Sequence, residues 1–126
     1  MKEEQREVTN EKCDQLFTYG TLQSGYSRNY LLSGLEYEKA ILEGYRKLTP
    51  PTLGFPFILK DKESNVTGEI YFQLTQSHWT QIDLVEGEGS LYHRVLVEVK
   101  TISKGRNLSA FTYYPSKRLI EEYSEK

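Results

Sequence analysis

Apolar and polar positions change period several times along this chain, and the changes mark out its elements. Residues 15–19 (QLFTY) form a short β-prone run that breaks at Gly20-Thr21-Leu22 into polar residues and a second glycine, Gly25. Residues 26–33 predict a short helix, with Tyr30, Leu31 and Leu32 as its apolar contacts and Gly34 as its stop. Residues 35–48 are rich in β-branched and aromatic side chains but interrupted by Gly44, which predicts two strand pieces around a bend or bulge. The prolines and glycine of TPPTLGFP, 49–56, predict a loop. Residues 57–60, a polar turn DKESN, and residues 66–73 then predict a hairpin. In 75–85 the period becomes helical: Trp79, Ile82 and Val85 recur on one face, and Thr75 or Ser77 is placed to cap it. A second hairpin is expected from 91–102 and 108–114 around SKGRN, followed by a terminal helix at 117–123.

Many strands, few helices and no long βαβ rhythm argue against a doubly wound parallel sheet. They fit an α+β fold in which a curved mixed sheet closes into a small β-barrel with flanking short helices, an arrangement that removes exposed edges. With 126 residues the expected organisation is one domain over 14–126, preceded by a charged segment 1–13. That segment has too few apolar side chains to offset its ordering entropy and is expected to be a disordered tail.

Charge and cysteine content narrow the function classes. The net charge is −2 and basic residues do not cluster, so the pattern that grips nucleic-acid phosphates is absent. The single cysteine, Cys13, cannot form an internal disulfide and fits a reducing compartment. There is no apolar run of the ~20 residues needed to span a bilayer, and no secretory-type hydrophobic stretch at the start. A soluble cytoplasmic protein is expected, with no membrane partner.

Candidate chemistry is sparse. His78 and His93 lie in different elements without metal-ligand spacing, so neither a metal nor a cofactor is expected. His93 has the strand parity of Val95, Val97 and Val99. The glycines of YGTLQSG match neither a dinucleotide fingerprint nor a phosphate loop. Glu86 stands out within QIDLVEGEGSLYHR, 81–94: it closes the amphipathic helix and is followed at once by Gly87. The negative end of a helix and partial burial would each raise its pKa towards neutrality, where a carboxyl group can take up and return a proton. The plainer reading is a solvated residue in a glycine-rich turn, and local sequence leaves both open. Glu88, between two glycines, is expected to be exposed. Asp83 lies one helical turn before Glu86, close enough to interact with it. Tyr92 and Arg94 share the strand face opposite the valine row, a face that either meets solvent or lines a pocket.

The ordered set LFTYGTL (16–22), GFP (54–56), VTGEIYF (66–72), IDLVEGEGSLYHRVLVEV (82–99) and AFTYYP (110–115) resembles the gamma-glutamylcyclotransferase-like superfamily, especially its short bacterial and archaeal and gamma-glutamylamine branch. The resemblance implies a mixed β-barrel with flanking helices and a cavity at one end. It implies that Tyr19, Gly20, Thr21 and Leu22 hold the γ-glutamyl end of a small-molecule substrate, and that Glu86 is the general acid/base. It places Tyr113, with Tyr114 adjacent, at the border of the site. Tyr92 and Arg94 are the further binding candidates. The implied reaction is cyclisation of a γ-glutamyl amine or amino acid to 5-oxoproline with release of the amine. Two rivals remain on the same fold: a non-catalytic metabolite-binding module, and a hydrolase that releases glutamate.

Overall fold

The computed structural model describes residues 14–53, 56–86 and 91–123. Five strands form a closed barrel in the order β1-β3-β2-β4-β5. They are β1 (Leu16–Thr18), β2 (Tyr37–Leu48), β3 (Phe57–Tyr71), β4 (Tyr92–Thr101) and β5 (Asn107–Pro115). All neighbours are antiparallel except β1 and β5, whose parallel pairing at Leu16 and Phe111 closes the ring. A 3-10 helix (Asn29–Leu32), helix α1 (Gln76–Glu86) and helix α2 (Lys117–Tyr123) pack outside. The mixed barrel with flanking short helices is the architecture expected from the sequence.

Strand alternation sends side chains to two cores. Phe17, Leu42, Ile58, Ile70, Val99 and Ala110 meet inside the barrel. On the outer face Leu16, Phe57 and Tyr71 pack with Leu32 of the 3-10 helix, Trp79 and Ile82 of α1 and Leu119 of α2. Thr75 caps α1 with a reciprocal partner. Its N–H donates to Nδ1 of His78 at 2.9 Å, and the His78 N–H approaches Thr75 Oγ1 at 3.5 Å, the geometry of a capping box. His78 therefore starts the helix whose other end carries Glu86.

Four local expectations are revised. The helix expected over 26–33 is only the single 3-10 turn Asn29–Leu32. The bulge expected at Gly44 is present, at φ +88°, but β2 runs through it as one strand instead of two pieces. Its register shift, between Glu43 and Tyr45, faces the DKESN segment, and β3 runs through that segment without reversing. Asp61 binds the Glu63 N–H at 3.1 Å and the Ser64 hydroxyl at 3.0 Å, so the turn-forming residues make a local protrusion while both halves of β3 pair with β2. His93 is exposed although it shares the parity of the half-buried Val95 and Val97. Strand β4 pairs with β2 only at Lys100 and Thr101, so nothing from β2 covers its beginning. The expected tail 1–13, with Cys13, lies outside the described residues. Among the described residues no helix is long and apolar enough to cross a membrane.

Closure depends on how near β1 comes to β3. A Cβ on Gly68 would run into the Thr18 carbonyl oxygen and lie 2.8 Å from Phe17 Cζ. Gly68→Ala is expected to destabilise the protein by about 1–3 kcal/mol through overpacking, read as a lower thermal unfolding midpoint. An unchanged midpoint would mean that β1 is free to move away.

Candidate functional site

Strand β1 is three residues long, so the chain leaves the barrel just beside its closure and enters the loop that begins at Tyr19. Where that loop meets the end of α1 and the adjoining ends of β4 and β5 lies a cavity of about 140 Å³. One wall is formed by residues 17–22 together with Arg28; facing it are Glu86, Tyr92 and Tyr113.

The loop's carbonyls are already engaged by donors of the protein. The Gly20 carbonyl accepts the Gln23 N–H at 3.0 Å, that of Thr21 accepts the Arg28 N–H at 2.9 Å, and that of Leu22 accepts Asn29 Nδ2 at 2.8 Å. Lys47 Nζ donates to the Tyr19 carbonyl at 3.1 Å. Among the described residues no hydrogen bond engages the N–H groups of Gly20, Thr21 or Leu22. The loop is thus a row of backbone donors with its acceptors already occupied, the arrangement that favours an anionic or carbonyl oxygen.

A buried carboxylate anchors this loop from beneath. Glu69 of β3 is 3% exposed, and its Oε1 accepts the Ser24 N–H at 2.7 Å and the Tyr71 hydroxyl at 2.9 Å. Tyr71 in turn accepts Asn29 Nδ2 at 2.8 Å. One chain of hydrogen bonds therefore runs from β3 to Ser24 and to Asn29, the first residue of the 3-10 helix.

The opposite wall carries the chemistry. Burial raises the Glu86 carboxyl above its ordinary value of 4.5, while the positive charge of Arg28 pulls the other way. Burial is one of the two causes anticipated from the sequence. The surrounding tyrosines are pushed up too. Burial is the leading cause for Tyr19 and Tyr92, reinforced by Tyr92 and then Glu86 for the first and by Glu86 for the second. For Tyr113 burial is followed by the hydrogen bond to Asp83. Their hydroxyl protons have protein acceptors: Tyr19 donates to the Tyr113 carbonyl at 2.6 Å, Tyr92 to the Pro56 carbonyl at 2.8 Å, and Tyr113 to Asp83 Oδ1 at 2.5 Å. Among these groups Glu86 is the carboxyl, and its shift is upward from the ordinary carboxylate range, the direction that favours holding a proton.

Of the residues singled out from the sequence, Tyr19, Gly20, Thr21, Leu22, Glu86, Tyr92 and Tyr113 line this one cavity. Arg94 lies outside the lining. It pairs with Asp83 Oδ2 at 3.4 Å and its guanidinium sits 4.6 Å from the Trp79 ring centroid and 5.2 Å from that of Phe111. Through Asp83 it reaches Tyr113, so its contact with the site is indirect. Tyr114 points to the other core, edge-on to Tyr45. Glu88 lies outside the described residues. Arg28 and Glu69 were not anticipated. Arg28 sits in a stretch that looked like an ordinary helix, and no local signal tied it to Glu86. For Glu69 the signal was present, a carboxylate between the apolar neighbours of VTGEIYF. Among the described residues no group of three or more His, Cys, Asp or Glu side chains comes together as a metal site.

Three solved structures share the fold. An AIG2-like protein from Mus musculus superposes with a TM-score of 0.72 at 22% identity, over 82% of this chain and 78% of the other. A protein from Arabidopsis thaliana gives 0.71 at 22% identity, over 90% and 82%. A structure described as gamma-glutamyl cyclotransferase gives 0.69 at 18% identity, over 83% and 68%. No curated protein matches the sequence significantly. The family model for gamma-glutamyl cyclotransferase, AIG2-like proteins matches residues 16–125, nearly all of the barrel and its helices. The chain belongs to the gamma-glutamyl cyclotransferase, AIG2-like family.

Proposed function

We propose that this protein cyclises the γ-glutamyl group of a small γ-glutamyl amine or amino acid to 5-oxoproline and releases the amine, with Glu86 as general acid/base. The observation that carries the reading is the common cavity of Glu86 and the donor-bearing loop at 19–22. Family membership supports a gamma-glutamylcyclotransferase-like role at the coarser level.

The substrate brings its own nucleophile. The α-amine attacks the side-chain amide carbon, a five-membered ring closes, and the bond to the leaving nitrogen breaks. Because the nucleophile is tethered, the protein chiefly holds a folded conformer and moves one proton. Ionised Glu86 takes the proton that the α-amine loses on attack and returns it to the departing nitrogen. No water is consumed. A carboxyl group raised towards neutrality is matched to both halves of that exchange. The N–H groups at 20–22 serve the α-carboxylate or the oxygen of the tetrahedral intermediate. The phenols of Tyr19, Tyr92 and Tyr113, already donating to protein acceptors, shape the walls. Asp83 and Arg94 hold Tyr113 and the last turn of α1 in place.

Glu86→Gln is expected to lower the rate of 5-oxoproline release by about 10²–10⁴-fold while the circular dichroism spectrum stays unchanged. Glu88→Gln should keep most activity, and equal losses in the two variants would remove the assignment to Glu86. Product mass separates cyclisation from hydrolysis, since free glutamate carries the added water; binding with no product at all would leave a non-catalytic module.

Stability gives a second readout. Below the ordinary carboxylate pKa, Glu86 is protonated in folded and unfolded chains alike and costs nothing. As pH rises from there towards the raised folded value, the unfolded chain loses the proton first, so stability falls and stays lower above it. Glu86→Gln should therefore melt at or above the wild-type temperature at pH ~8, with the advantage shrinking as pH falls to ~4. A variant destabilised equally at both pH values would show that burying this carboxylate costs the fold nothing.

A further inference from the structure

Arg28 is a cation at the cavity whose position is set by the fold. Its N–H is bonded to the Thr21 carbonyl at 2.9 Å and its own carbonyl accepts the Leu31 N–H at 3.1 Å. The next residue, Asn29, is held by Leu22 and Tyr71. Arg28 lines the cavity, yet it is an exposed residue, whereas Tyr19, Leu22 and Tyr113 on the same cavity are buried. It therefore stands at the rim while they form the depth. Among the described residues no carboxylate lies within ion-pairing distance of it. Its field nevertheless reaches the cavity, since it acts on Glu86.

The size of the cavity decides what Arg28 meets. At about 140 Å³ the space is well below the ~300 Å³ at which pockets for drug-sized ligands begin. It holds one amino-acid-sized head group, and anything attached to the leaving nitrogen must extend to the rim. The head group's own carboxylate has donors of its own in the N–H groups of residues 20–22. From this division of the cavity we infer that Arg28 selects substrates whose leaving amine itself carries a carboxylate, that is γ-glutamyl amino acids over γ-glutamyl conjugates of neutral or cationic amines. The inference rests on the cyclotransferase reading of the site and adds its substrate class. A guanidinium gives paired, directional hydrogen bonds to a carboxylate, and it repels a cationic substituent at the same place.

The test uses γ-glutamyl-alanine and γ-glutamyl-alaninamide, which differ only in the charge on the leaving amine. The wild-type protein should prefer the acid by about tenfold in kcat/KM, the scale of one charge-assisted contact near solvent. Measured at a pH above the acidic limb, where the ionisation of Glu86 does not differ between the proteins, Arg28→Gln should erase the preference by raising KM for the acid alone, and Arg28→Lys should keep part of it. Because Arg28 lowers the Glu86 pKa, Arg28→Gln should also move the acidic limb of kcat/KM upward, which loss of loop structure alone would not do. Equal use of both compounds by the wild type overturns the inference. So does an equal loss on both in Arg28→Gln, which would put Arg28 on the carboxylate the two share. If neither yields 5-oxoproline, it is the cyclotransferase reading that fails, and calorimetric affinities for the same pair decide the selection. Tighter binding of the acid, lost in Arg28→Gln, supports it; equal binding overturns it.

Discussion

The packing of β1 against β3 at Gly68 is the constraint from which the site follows. A strand of three residues has little ladder of its own, and here it must close a barrel between an antiparallel and a parallel neighbour. It does so by lying so close to β3 that no side chain fits at Gly68. Side-chain bonds supplement the short parallel seam: Thr112 donates to the Phe17 carbonyl at 2.9 Å and Tyr19 to that of Tyr113 at 2.6 Å. The same closure ends the strand at Thr18 and launches the donor-bearing loop beside β5. Barrel geometry and ligand geometry are thus one problem, and a shift of β1 would move both.

Around this seam the protein has arranged two carboxylates in opposite ways. Glu69 is buried with partners on every side that matters: a backbone N–H, a phenol and, at 4.0 Å, Lys39. A buried acid so satisfied is a structural tie, and this one holds the loop that ends at Asn29. Glu86 is withdrawn from water, and among the described residues the cation Arg28 is what favours its charge. That environment disfavours the ionised form, which is a cost to stability and an asset to proton transfer. On the proposed chemistry, the difference between a tie and a general base is the difference in their hydrogen bonds.

The helix that carries Glu86 is fixed at both ends. Thr75 and His78 cap its start. Towards its other end Asp83 accepts from Tyr113 on β5 and pairs with Arg94 on β4, whose guanidinium is spread over Trp79 and Phe111. Tertiary hydrogen bonds of this kind restrict the angle at which the last turn meets the barrel. They explain why Arg94, on the same strand face as Tyr92, lies beside the cavity without lining it.

Much of the fold was legible in local pattern. Strands β1, β4 and β5 and both α-helices follow directly from apolar period and capping residues, and the motif set around YGTL and EGEG points to the barrel. Where local pattern misled, a longer-range partner had the last word. DKESN has turn chemistry, but pairing of both its flanks with β2 kept β3 continuous. Neighbours within a few residues settle which chain segments must bury one face and which backbone positions lack a side chain. That Arg28 shares a cavity with Glu86, that Glu69 ties down the loop and that Arg94 turns to Asp83 follows from the packing of the whole chain. Each of those relations joins residues on different elements, and their energy exists only after the barrel has closed.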